Sequence, residues 1–120
     1  MVFKEIKFGI YREIEPGIVE VIINEGIDLN AEMIEFAESV LTKYFDEKKY
    51  CLLVDRVYSY SITFAAMQRL TYMKNLAALA IVVHSDHSRH AALIHEKFQD
   101  NIKVFYTYFE ALNWLYSHLN

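Results

Sequence analysis

Eight consecutive residues from Leu76 to Val83, LAALAIVV, carry no polar side chain. The run is short and ends in the β-branched Ile81, Val82 and Val83, so it reads as a strand buried on both faces rather than as a helix. A second run, Cys51 to Val54, has the same character and stops abruptly at Asp55-Arg56. Strands covered on both faces belong to parallel sheets, and parallel neighbours need long crossovers, usually helical. Both runs give way to polar segments at their carboxyl ends, where open α/β sheets place their ligand sites.

The rest of the chain supplies those crossovers. Phe64, Met67, Leu70 and Met73 recur every three residues and predict a helix over Thr63 to Asn75. A further helix runs to about Phe98 after the polar stretch His84 to His90, with Ala91, Ile94 and Phe98 inward. Upstream, Ile6, Phe8 and Ile10 alternate within a strand from Phe3 to Tyr11, Glu15-Pro16-Gly17 suits a type II turn, and Ile18 to Ile23 is a deeper strand broken only by Glu20. Asp28 or Asn30 caps a helix from Ala31 to about Phe45, with Ile34, Ala37, Leu41 and Tyr44 inward and Glu32, Glu35, Glu38 and Lys43 outward. Asp46 to Lys49 is a solvated loop. Ile102 to Tyr106 is the last strand, Thr107 and Glu110 have the spacing of a capping box, and Tyr108 to Leu119 is a helix burying Leu112, Trp114 and Leu115. The order ββαβαβαβα requires right-handed crossovers and predicts an α/β fold, a mostly parallel five-stranded sheet with four helices.

Composition narrows the function classes. A chain of 120 residues suits one domain, spanning 1–120, able to bury a core without disulfides or a structural metal. The one cysteine, Cys51, lies in an apolar strand, which points to a reducing, cytoplasmic setting. No apolar run reaches the length of a membrane span, and the charged start MVFKEIKFGIYREIE is unlike a signal peptide. The net charge of −4 and the scattered basic residues argue against nucleic acid. Aromatics make up 15% of the chain, more than its core needs, so an interface is expected. Tyr58, Tyr60 and Tyr72, flanking the second helix, predict a protein partner or a homodimer.

Three stretches, LLVDRVYSYS, LAIVVHSDHSR and KVFYTYFEALNWL, make the chain resemble a SpoIIAA-like, or STAS, domain over nearly its whole length. Within that group it is most similar to the small bacterial STAS/SEC14-like proteins of unassigned function. The resemblance implies the SpoIIAA-like fold and a regulatory role through protein interaction. Regulatory members carry a phosphorylated hydroxyl in a D-S-S-G or D-S-T-G motif at the start of the second helix. This chain has Tyr60-Ser61-Ile62-Thr63-Phe64 there, without the aspartate or the glycine, so the phosphorylation switch does not carry over. Ser61 and Thr63 are instead expected as helix caps.

The residues themselves contain no catalytic constellation. Ser85, Asp86 and His87 are too close in sequence to form a relay, no G-x-S-x-G elbow is present, and the chain is not expected to be an enzyme. His84, Asp86, His87 and His90, with His95 beyond them, match no recognised metal spacing, and neither metal nor cofactor is expected. Arg89, in the first turn of a helix, opposes the dipole and calls for a negative neighbour, either Asp55 or Asp86, or else a bound anion. The expected ligand or anion rim is therefore Asp55, Ser59, Ser61, Ser85, Ser88, Arg89 and Thr107. A small-molecule or lipid carrier, with an apolar pocket between the second helix and the sheet lined by Met67 and Met73, is the alternative function.

Overall fold

The structure, a computed structural model, describes residues 4–119. The expected first strand starts at Phe3, which lies outside the described residues. From Lys4 the chain forms an antiparallel meander of β1 (Lys4–Ile6), β2 (Gly9–Glu15) and β3 (Ile18–Ile23). The single strand expected up to Tyr11 is thus a hairpin that folds at Lys7-Phe8. Gly9 marks the break: a Cβ there would stand 2.3 Å from the Ile22 carbonyl oxygen, so only glycine lets β2 begin against β3. Phe8 turns into the core beside Ile23 and Leu29. Gly17 has φ +85°, as the third position of a type II turn requires.

There follow β4 (Asp28–Leu29), α1 (Ala31–Tyr44), β5 (Tyr50–Asp55), β6 (Ser61–Ile62), α2 (Phe64–Leu70), β7 (Leu76–Val82), α3 (Asp86–Phe98), β8 (Ile102–Phe105) and α4 (Tyr108–Leu119). The main sheet has the order β1-β2-β3-β5-β7-β8, parallel from β3 onward. It holds six strands rather than the expected five, and β4 and β6 add a separate parallel ladder. Two residues a strand are too few to show periodicity, which is why this ladder is silent in the sequence. From β3 the chain steps across the sheet in one direction. Right-handed crossovers then lay α1, α2 and α3 on one face, and α4, past the last strand, covers the other.

The two-residue period of the strands sorts the core. Leu52, Leu79, Ile81 and Val83 pack with Ile34 and Leu41 of α1, Leu70 of α2 and Ala92 of α3. Cys51, Leu53, Ala78, Ala80 and Val82 face α4. The two alanines let α4 approach closely, so that Ala111 and Leu115 are fully buried. Glu20 is buried in β3, accepting a hydrogen bond from the Tyr108 hydroxyl and pairing with Arg12 at 3.1 Å.

Several helix faces differ from expectation. α2 ends at Leu70, not Asn75, because the chain beyond it runs in tighter turns: Thr71, Tyr72 and Met73 donate to carbonyls three residues back. This turns Met73 inward and Tyr72 outward, and Phe64, at the other end of the helix, is also exposed rather than inward. Ser85 caps α3, so the helix starts within the histidine segment, and its buried positions are Ala92 and His95 rather than Ala91, Ile94 and Phe98. Tyr44 also lies outside, its hydroxyl 2.6 Å from Glu13 Oε1. Glu38, expected in solvent, is half-buried against Arg69 of α2.

Candidate ligand cavity and the carboxyl rim

The ends of β5, β7 and β8 lie in register, with Asp55 opposite Val82 and Val82 opposite Phe105, so the residues just beyond them form one rim. His84 Nε2 stands 2.6 Å from Asp55 Oδ1. The Tyr106 hydroxyl donates to Asp86 Oδ1 at 2.6 Å, and Arg89 lies over the Tyr106 ring at 5.8 Å. Arg89 is exposed and forms no ion pair among the described residues, so the expected pairing with Asp55 or Asp86 is not made. The physical reason is competition: Asp55 is engaged by His84 and Asp86 by Tyr106.

Two hydroxyls of the expected rim, those of Ser85 and Thr107, serve the backbone. Ser85 Oγ accepts from the Ser88 N–H at 3.1 Å. Thr107 Oγ1 accepts from the Glu110 N–H, one arm of the capping box read from the sequence, while the Glu110 carboxylate accepts from the Thr107 hydroxyl instead of its backbone. Ser59 and Ser61 do not join the rim. The Ser59 N–H donates to Glu25 and the Ser61 hydroxyl to Asp28 at 2.7 Å, both acceptors on the connection after β3. Thr63, not Ser61, caps α2, accepting from the Ala66 N–H. Among the described residues no group of three His, Cys, Asp or Glu side chains comes together as a metal site, and His84, His87 and His90 all face solvent.

One concave feature lies deeper. A cavity of about 90 Å³ lies between the α1–α2 face of the sheet and the β4–β6 ladder. Leu52, Val54, Leu79 and Ile81 form its floor, Ile34, Leu41 and Leu70 its helical wall with Met73 just beyond α2, and Leu29 and Ile62 its roof. The carrier alternative places an apolar pocket between the second helix and the sheet with Met67 and Met73 as lining; of those two, Met73 lines this cavity and Met67 does not.

Two lining residues carry polar side-chain atoms, Tyr60 and His95. Arg56 is not among the lining residues but lies against Tyr60 at this end. Its guanidinium sits 4.3 Å from the centre of the Tyr60 ring, and its Nη2 donates to the Tyr60 carbonyl at 2.9 Å. The Nε–H of Arg56 is buried without an acceptor, and Arg56 forms no ion pair among the described residues. Burial, and then the charge of Arg56, hold the His95 imidazole below its ordinary range. Burial also raises the Tyr60 phenol, against the pull of Arg56.

Tyr60 was expected on an exposed flank and is instead part of the cavity. The sequence sets Arg56 in the polar segment at the carboxyl end of its strand, where a ligand site is expected, without joining it to the pocket, and His95 was not expected there. Arg56 is adjacent to Asp55 at a strand end, and His95 falls on the buried face of α3 once the helix is started at Ser85. That start was the available signal.

A parallel sheet flanked by helices on both faces, entered through an antiparallel hairpin, defines the class: an α/β protein of SpoIIAA-like fold. It aligns with the crystal structure of an uncharacterised protein of the DUF3478 family with a SpoIIAA-like fold from Shewanella loihica PV-4, with a TM-score of 0.55 and 16% identity over 95% of this chain and 90% of that one. That likeness is one of fold. Residues 12–119 match the family described as Domain of unknown function (DUF7793), and the chain belongs to that family. No curated protein matches it. Among the described residues no helix is long and apolar enough to cross a membrane.

Proposed function

We propose that this chain is a single non-catalytic domain of the bacterial cytoplasm, a regulatory module that works through protein interaction and lacks the D-S-S-G switch. One observation carries the reading: the outer surface around α2 is aromatic. Phe64 is 64% exposed and packs edge-on against Phe98 at 5.6 Å, Ile94 lies one helical turn from Phe98, and Tyr72 is 70% exposed. Exposed rings grouped in this way favour a binding surface, because each buries a large apolar area when covered. The rim supports a non-catalytic role, since Ser85 is engaged as a helix cap. Light scattering on the wild type and on Phe64→Ser tests it. A dimer, or a complex with a purified partner, that the substitution dissociates is the expected result; a monomer at high concentration that binds no protein overturns it.

The apolar cavity favours a second reading, a carrier of a small molecule or lipid. Native mass spectrometry of freshly purified protein would show a co-purifying small molecule under this reading and bare protein otherwise.

A further inference from the structure

We propose that the cavity takes a short aliphatic carboxylic acid, its hydrocarbon body among the leucines and isoleucines and its carboxylate at the Arg56–Tyr60–His95 end. The proposal rests on the carrier reading above and names its ligand. The body is set by the walls: apart from Tyr60 and His95, every lining side chain is apolar. Such a space selects hydrocarbon, because a polar group placed there would lose its hydration without a partner.

Size narrows the body further. At about 90 Å³ the cavity limits the body to a short chain. Met73, an unbranched side chain in the wall, is able to repack around such a chain.

The head is set by charge. Arg56 is a partly buried cation without a carboxylate partner, and one of its donors is unused. The neighbouring acid does not serve it, since Asp55 is 2.6 Å from His84. A guanidinium in that position favours an anion, and a carboxylate matches its planar fork of donors. His95, kept neutral by burial, and the Tyr60 phenol supply weaker polar contacts without adding a second charge. One cation at one end of an apolar space therefore describes a monoanion with a hydrocarbon tail.

Hexanoate and its uncharged counterpart hexanol separate the parts of this inference. Titrations at neutral pH, followed by amide and methyl NMR shifts, should show both probes perturbing Leu79, Ile81 and Met73, with hexanoate binding about tenfold or more tighter than hexanol. Arg56→Gln should abolish that preference while hexanol still binds, and Arg56→Lys should restore part of it. Equal binding of the two probes to the wild type, or an unchanged preference in Arg56→Gln, overturns the carboxylate assignment and leaves the cavity reading standing. Binding of neither probe overturns both. If Arg56→Gln fails to fold, the wild-type preference and the shifts at Tyr60 and His95 still decide: hexanoate must move both residues, and hexanol must move them less.

Discussion

His84 Nε2 lies 2.6 Å from Asp55 Oδ1, joining the last residue of β5 to the rim beyond β7. Asp55 is largely covered and His84 about half exposed, so the pair closes the carboxyl edge of the sheet at its centre. It also occupies one of the two acids, Asp55 or Asp86, expected beside Arg89, and Arg89 lies over the Tyr106 ring.

Arg89→Ala should therefore fold almost normally. An exposed cation over an aromatic ring contributes about 0.5–1 kcal/mol, and no carboxylate is stranded by its removal. A thermal melt checks this, and a loss of several kcal/mol would mean that Arg89 has a buried partner.

Tyr108→Phe should be costlier. Tyr108 donates to the buried carboxylate of Glu20, and removing that donor leaves the acid with less hydrogen bonding in a poorly solvated place. A loss of about 1–3 kcal/mol is expected from urea unfolding. Adding Glu20→Gln to the same protein should recover part of it, because the remaining group is then neutral.

His95 gives the fold an acid sensitivity. Burial lowers its folded pKa, so the unfolded imidazole protonates near pH 6.5 while the folded one stays neutral. The unfolded state then binds more protons, and stability present above about pH 6.5 is lost as pH falls through that value towards the folded pKa. Chemical denaturation of wild type and His95→Leu at pH 7.5 and 5.5 should show a smaller drop in the variant.

Cys51 gives the opposite, alkaline dependence. Burial pushes its thiol up from 9.0 to about 11, so the unfolded chain ionises first and stability falls as pH rises from about 9 to about 11. The total is about 2–3 kcal/mol. Cys51→Ala should lack this part of the alkaline slope, and a thiol reagent at pH 8 should label native protein far more slowly than unfolded protein.

Gly9→Ala tests the unexpected hairpin. The added methyl would meet the Ile22 carbonyl, and with backbone on both sides neither strand yields easily. A cost of about 1–3 kcal/mol is expected from thermal or urea unfolding. A neutral result would mean that β2 and β3 are less closely apposed at this point.

The amino-acid order by itself determined the parallel part of this protein. Leu76 to Val83 and Cys51 to Val54 are short and apolar without interruption, which favours a strand covered on both sides; the turn at Gly17 and the hydroxyl cap at Thr107 are equally local, since each needs partners only a few residues away, and the cap of α1 was narrowed to Asp28 or Asn30, with Asn30 serving. Tertiary structure alone decided what depends on distant neighbours. The break at Lys7-Phe8 arises because Gly9 meets Ile22, the β4–β6 ladder because two connections leave the sheet side by side, and the exposure of Ile94 because the start of α3 sets the phase of every later residue in it. The same holds for the site. Which acid holds which cation is a contest among side chains from different strands, won at Asp55 by His84 and at Asp86 by Tyr106, and the cavity beneath Tyr60 exists only where walls from separate parts of the chain meet without quite filling the space.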